Sequence, residues 1–269
     1  MPLAYWTHNL SPFLIRFGEN VGIRWYGLAY LAGFAGAAWL LYLYYRAGKS
    51  PFGANTIFDL INYLVVGVIV GGRLGYFLLY QPGTLRGDPL ILFRVWEGGM
   101  ASHGGMLGVA GALWWFRRRH QVPLLHVSDL VLTTVPVGLF FGRIANFING
   151  ELWGKVTDVP WAVIFAKTGG GTLPRHPSQL YEAVAEGLVL FAWLQWRLWK
   201  TNAGRQLGRL TGEFLILYAV GRSVCEIFRE PDAALILGLN RGIFYSFFLI
   251  AAGVAVIAYA SRRTTVSGK

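Results

Sequence analysis

Gly142-Arg143-Ile144-Ala145-Asn146-Phe147-Ile148-Asn149-Gly150-Glu151-Leu152-Trp153-Gly154 decides how the rest of the chain is read. The residues before it, 130–141, are apolar apart from two threonines, and joined to 142–148 they are long enough to cross much of a bilayer. An arginine, two asparagines and a glutamate then arrive together at the end of that run. On a helix, Arg143, Asn146 and Gly150 fall at i, i+3 and i+7 and share one face. A glycine there leaves room for a ligand to approach the backbone beside a guanidinium and an amide. Charged groups at membrane depth are costly, so they mark a site. The expected occupant is an anion, a phospholipid headgroup.

Composition bounds the class. Of 269 residues, 55% are hydrophobic and 14% charged, whereas a soluble domain carries roughly a quarter charged residues. Mean hydropathy is +0.46. The 11 Trp, 13 Tyr and 18 Phe suit aromatic belts at two membrane interfaces. Apolar runs are continuous rather than alternating, which argues against a β-barrel. The fold class is therefore an all-α polytopic membrane protein. A net charge of +11 raises nucleic acid as a partner, but the basic residues gather in short clusters between apolar spans. That pattern belongs to membrane topology and contact with anionic membrane lipids, so no nucleic acid is expected. A single cysteine, Cys225, excludes an intrachain disulfide, and five scattered histidines give no metal-site spacing.

In order along the chain, residues 1–20 are too short and polar to span and are expected along the interface. About seven transmembrane helices come next, near 23–45, 57–80, 100–120, 127–148, 179–198, 210–228 and 243–260. A polar connection at 81–99 carries Asp88, Arg94 and Glu97. Residues 150–178, with prolines and the run Gly169-Gly170-Gly171, read as a small extramembrane head inserted in one integral membrane domain, 1–269. The amino terminus has no cation before Arg16, unlike a cleavable signal peptide. Alternate loops hold Arg46 and Lys49; Arg117, Arg118 and Arg119; Arg197, Lys200, Arg205 and Arg209; and Arg262, Arg263 and Lys269. Those are twelve of the 24 basic residues, against eight spread over longer segments on the other side. The positive-inside rule then places the carboxyl terminus in the cytoplasm, with the amino terminus and head outside.

Four arginines remain at span depth or span ends: Arg73, Arg143, Arg222 and Arg229. Arg222, Glu226 and Arg229 stand at i, i+4 and i+7, which puts the carboxylate between two guanidiniums. Counting only Glu151 and Glu226 against four arginines leaves positive charge for an anionic ligand to complete. The competing reading is a set of structural ion pairs between helices. Guanidinium suits phosphate better than ammonium does, and no lysine falls inside a span.

His103, in Ser102-His103-Gly104-Gly105, opens a span on the outward side. Free backbone amides at a helix start favour anions, and a neutral imidazole there can take a proton. Satisfying the helix end is the alternative role. Gly104, Gly105, Gly108 and Gly111 equally fit tight helix packing. Ser178 stands where a helix cap is expected, with Tyr181 and Glu182 inward. Cys225 reads as an inert small hydrophobe.

Together these stretches resemble the bacterial prolipoprotein diacylglyceryl transferase family. Its signature is matched from Gly142-Arg143 through Asn146-Phe147-Ile148-Asn149-Gly150-Glu151 to Gly154. His103-Gly104-Gly105, the run from Arg175 to Glu182, and Phe228-Arg229-Glu230-Pro231-Asp232 look like its other blocks, in order from about Tyr26 to past Asp232. The resemblance implies transfer of diacylglycerol from phosphatidylglycerol to the lipobox cysteine thiol of a prolipoprotein signal peptide. A thioether forms and glycerol phosphate leaves, at a multi-pass protein of the bacterial cytoplasmic (inner) membrane with a periplasmic head. His103 is then the candidate base, and Arg143 and Arg222 the candidates for phosphate. Tyr26 and Asn146 are expected to hydrogen-bond the headgroup, with Gly154 at the substrate. Glu151 and Glu226 are expected to orient the arginines, with Arg229 as structural partner. No metal and no cofactor are implied. A transporter with an anion site and a noncatalytic lipid-binding scaffold are the rival classes.

Overall fold

The computed structural model describes residues 5–18, 21–94, 98–231 and 235–266; Glu97, Asp232 and Lys269 lie outside them. Among the described residues there are ten α-helices: α1 (Trp25–Arg46), α2 (Ala54–Leu79), α3 (Pro82–Gly87), α4 (Ser102–His120), α5 (Leu124–Leu132), α6 (Val135–Asn149), α7 (Ser178–Glu182), α8 (Leu190–Lys200), α9 (Arg209–Phe228) and α10 (Arg241–Val266). Five short strands accompany them: β1 (Trp6–Thr7), β2 (Phe13–Arg16), β3 (Gly22–Arg24), β4 (Val163–Ile164) and β5 (Pro174–Arg175).

Trp25–Arg46, Ala54–Leu79 and Arg241–Arg262 are long and apolar enough to cross a membrane. The run read as one span near 127–148 is two helices, α5 and α6, bent by 41°, which together make a fourth candidate. The break falls at Thr133 and Thr134, whose hydroxyls donate to the carbonyls of Leu130 and Val131 at 2.7 Å, just before Pro136. Proline has no N–H to continue a helix, and threonine hydroxyls bonded backwards satisfy the freed carbonyls. The three other expected spans coincide with α4, with the stretch 178–200 and with α9, and all three carry charge.

The chain divides into two compact units, Ala38–Ser128 and, as the other, Met1–Ala37 with Asp129–Lys269. In the first, α2 and α4 approach backbone to backbone. A Cβ built on Gly71 or Gly75 would run into Gly104 or Gly108, and one on Gly108 into the carbonyl of Gly67. Of the glycines with two readings, Gly104 and Gly108 therefore serve tight helix packing. Gly105 and Gly111 meet nothing closer than 4.0 Å. Arg73 is buried in this unit. Its Nε donates to the carbonyl of Leu92 at 3.2 Å, its guanidinium also reaches the carbonyls of Ile91, Arg94, Gly98 and Gly99, and its plane lies over Phe77. It holds a loop together and drops out of the charge count made from the sequence.

In the second unit, β1 pairs in parallel with β4, which pairs antiparallel with β5, and β2 pairs with β3. Of the residues expected along the interface, Trp6 and Thr7 are thus strand-paired with Val163 and Ile164. His8, buried, bonds the carbonyl of Phe147 through Nε2 at 2.8 Å. Helices α7 and α8 are joined through a π-helical stretch, Ala183–Val189. The apolar core here is Leu190, Leu194 and Phe214, with Leu132, Val135, Leu215, Leu217 and Tyr218 against it.

Asp129 fixes the start of α9. Its buried carboxylate accepts from the N–H groups of Gly208 and Thr211 and from the Thr211 hydroxyl, each at 2.7 Å. This is an N-cap supplied from 79 to 82 residues away. Nearby, Glu213 accepts from Arg197, Arg209 and Trp193, so this end of α8 and α9 carries its own ion cluster. Replacing Asp129 by Ala should strip three hydrogen bonds and cost about 1–3 kcal/mol. The check is the detergent-solubilised melting temperature, which should fall relative to the parent chain.

Candidate active site

Four elements of the second unit converge on one cluster. Arg143 projects from α6, Glu182 ends α7, Glu186 lies in the π-helical stretch, and Arg222 and Glu226 come from α9. A π-helical stretch shifts the register of side chains within an otherwise regular helix and recurs at functional sites. Here it carries Glu186 one turn beyond Glu182.

Arg143 donates from Nε and Nη2 to Glu186 Oε2 at 3.3 and 3.0 Å, and its Nη1 lies 2.8 Å from Glu182 Oε2. The last contact is an ion pair whose angle falls short of a hydrogen bond. Arg222 donates from Nη1 to Glu182 Oε1 at 3.0 Å and from Nη2 to Glu226 Oε1. Arg229, in extended conformation just past α9, donates to Glu182 Oε1 at 2.8 Å. Glu182 is therefore the hub on which three guanidiniums meet. Its side chain is 1% exposed and that of Glu186 0%, whereas Arg143 and Arg222 keep 17% and 15%. The carboxylates are the most deeply buried part of the cluster, a floor to it, and Arg143 and Arg222 keep what exposure it has. Two of the five N–H groups of Arg143 donate to those carboxylates and a third nitrogen is ion-paired with them, which leaves donors for a ligand.

These contacts correct two expectations. Glu182 and Glu186, rather than Glu151, hold Arg143. With Arg73 elsewhere, three guanidiniums face Glu182, Glu186 and Glu226, so among the described residues the cluster is formally neutral and has no excess positive charge. The missed signal was Glu186: with Glu182 it makes an i, i+4 carboxylate pair in an apolar run, the same kind of signal that singled out the arginines. Arg222 and Glu226 do pair at i, i+4 as expected.

Beside the cluster runs a polar chain. Asn146, buried on α6 one turn after Arg143, donates from Nδ2 to Glu151 Oε1 at 2.7 Å and to the hydroxyl of Tyr26 at 3.4 Å. Tyr26 is placed by glycine contact: a Cβ on Gly33 would come 3.1 Å from Cα of Gly138. Tyr26 and Gly33 share a face of α1, as Gly138 and Asn146 share one of α6, so antiparallel helices bring phenol and amide together.

Gly150 is not on the helix face expected for it. It caps α6 in the left-handed conformation, φ 67°. A Cβ there would lie 2.7 Å from the Thr168 side chain and 3.0 Å from His8, so the space a ligand was expected to use is filled. Gly154 bridges to Arg229, and a Cβ on it would come 2.6 Å from His176 and from the carbonyl of Phe228. Its bare Cα lets residues 150–177 close against the end of α9.

That junction has further ties. Arg175 donates to the carbonyls of Gly170 and Gly154 and to Glu230 while stacking on Trp153. His176 Nδ1 shares a hydrogen bond with the Tyr181 hydroxyl, and partial burial together with nearby Lys155 holds its imidazole below the usual histidine range. Ser178 makes no cap; its hydroxyl donates to the carbonyl of Leu152. Cys225 is buried and free, as its apolar surroundings led one to expect. His103 is the second residue of α4, exposed, in the unit Ala38–Ser128, whereas the arginine cluster belongs to the other unit.

Comparison with known proteins agrees with this arrangement of motifs. The family model described as prolipoprotein diacylglyceryl transferase matches residues 12–259. Proteins named phosphatidylglycerol–prolipoprotein diacylglyceryl transferase are similar over nearly the whole length. That of Pseudoalteromonas atlantica is 44% identical over 99% of this chain and 95% of its own. The Methylocella silvestris protein is 45% identical over 99% of each. The one from Nitrosomonas europaea is 47% identical over 94% and 91%. Matched from before its first long helix to within its last, the chain belongs to the prolipoprotein diacylglyceryl transferase family.

Proposed function

We propose that this protein transfers the diacylglyceryl group of phosphatidylglycerol to the lipobox cysteine thiol of a prolipoprotein. The thiol sulfur attacks the glycerol carbon that bears the phosphate, the carbon–oxygen bond breaks, and a thioether forms. Glycerol phosphate leaves with the bonding pair. A free thiol is only a few per cent thiolate at neutral pH, and His103 takes its proton. The phosphate gains its second charge as it departs. Arg143 and Arg222, oriented beforehand by Glu182, Glu186 and Glu226, stabilise that charge more in the transition state than in the ground state. Asn146 and Tyr26 bond the glycerol headgroup. Arg229 braces Glu182.

The observation that carries this reading is the pair of partly exposed guanidiniums, Arg143 and Arg222, held on buried carboxylates. A floor that holds each fork still removes the cost of ordering it when phosphate arrives. The rest of the reading takes the chain as one integral membrane domain of about seven spans. The segment 150–178 forms a periplasmic head, and the carboxyl terminus is cytoplasmic. Basic-residue placement supports that orientation, which puts the site where secreted precursors and outer-leaflet lipid are found.

The test is direct. Purified protein incubated with phosphatidylglycerol and a lipobox peptide should add a diacylglyceryl mass to the peptide cysteine. An unmodified peptide despite bound lipid would favour a lipid-binding scaffold. A reporter fused after Lys269 should be active only on the cytoplasmic side; periplasmic activity would overturn the orientation.

A further inference from the structure

Charge balance around Glu186 points to a role for it that the reaction above does not use. The cluster holds three guanidiniums and three carboxylates, and a phosphodiester entering it adds one negative charge. Phosphodiesters stay singly charged throughout the neutral range, so the lipid brings no proton of its own. Net charge in a buried site is expensive, and a proton taken up on binding restores neutrality.

The three carboxylates differ in how easily they can accept it. Glu182 is bound by Arg143, Arg222 and Arg229, and its Oε2, which also lacks a hydrogen bond, is covered by the Arg143 Nη1 at 2.8 Å. Glu226 accepts a hydrogen bond from Arg222. Glu186 is hydrogen-bonded by Arg143 alone, through Oε2; its Oε1 is buried with no hydrogen-bond partner among the described residues and meets Arg222 Nη1 only as an ion pair at 3.7 Å. A proton on that oxygen breaks no existing hydrogen bond. The charged and titratable groups facing Glu186 are Arg143 from α6, Glu182 from α7, and Tyr218, Arg222 and Cys225 from α9.

We propose that Glu186 takes up one proton as the phosphodiester headgroup docks on Arg143 and Arg222, making lipid binding proton-coupled. The proposal rests on the phosphate reading above. Its sign comes from linkage: the bound state holds one more proton than the free state, so affinity falls as pH rises, by about tenfold per unit where Glu186 is ionised in the free protein.

The experiment is calorimetric titration of the full chain in detergent with short-chain phosphatidylglycerol, in two buffers of different ionisation heat, from pH 7 to 8.5. The expected result is uptake of about one proton by the parent and none by Glu186→Gln, whose affinity should be flat with pH. Infrared difference spectra of the parent carrying ¹³C-carboxyl glutamate should show a neutral carboxylic acid appearing with lipid, which decides the matter even if the variant does not fold. Binding without a proton, uptake unchanged in Glu186→Gln, or no neutral glutamate signal would each overturn the proposal. A parent that transfers diacylglycerol and binds without a proton defeats this inference alone. A parent that neither binds phosphatidylglycerol nor transfers diacylglycerol defeats the phosphate reading and this inference with it.

Discussion

Arg143→Lys and Arg222→Lys should each slow single-turnover transfer by roughly 10²–10³, equivalent to about 2.7–4 kcal/mol of transition-state stabilisation. Lysine keeps the charge but loses the planar fork, part of which is already spent on the carboxylates. Arg143 spends one edge on Glu186 and one terminal nitrogen on Glu182. An ammonium that reached the floor would have little left for phosphate. Equilibrium binding of phosphatidylglycerol should weaken less than the rate does, because the ground-state phosphate carries one charge and gains the second only on departure. If both variants bind and transfer like the parent, the cluster is an ion-pair device that packs α6, α7 and α9 together. Its formal neutrality is the feature that favours that alternative.

His103→Gln is expected to reduce transfer by roughly 10²–10⁴ with protein yield and lipid binding retained. Glutamine keeps the size and hydrogen-bonding capacity of the side chain and removes the base. His103 is exposed at the second residue of α4, so its replacement costs little core packing. Full activity in the variant would take His103 out of the mechanism. Loss of folded protein would assign it to the helix start instead.

Much of this architecture was legible in the sequence because membrane helices announce themselves by length and apolarity. The span expected at 57–80 is the apolar helix Ala54–Leu79, and the run expected at 210–228 is helical as Arg209–Phe228, which is not among the helices long and apolar enough to cross a membrane. What was not legible depends on tertiary contact. The strand pairing of Trp6 and Thr7 with Val163 and Ile164 joins residues more than 150 apart, with two-residue strands too short for any periodicity. The Asp129 cap on α9 is likewise invisible to local pattern.

At the site, the cost of charge in an apolar run singles out Arg143 and Arg222, and it holds equally for Arg73 and Glu186. Arg73, equally conspicuous, satisfies backbone carbonyls of a loop, which no count of opposite charges can foresee. Glu186 met the same criterion as the arginines and would have shown that the charges balance. Gly150 illustrates the reverse error: helical spacing placed it on the ligand face, whereas the helix ends there and the glycine serves the left-handed turn.

Solid-state NMR on arginine-¹⁵N-labelled protein in phosphatidylglycerol bilayers measures the claimed contact itself. Guanidinium nitrogens hydrogen-bonded to a phosphate lie close enough to its phosphorus for strong ³¹P dephasing, given N–O separations of about 2.7–2.9 Å. The parent should show a dephased guanidinium population that shrinks in Arg143→Lys and again in Arg222→Lys. Dephasing that is absent in the parent, or unchanged by both substitutions, would contradict the assignment of the phosphate to these two arginines.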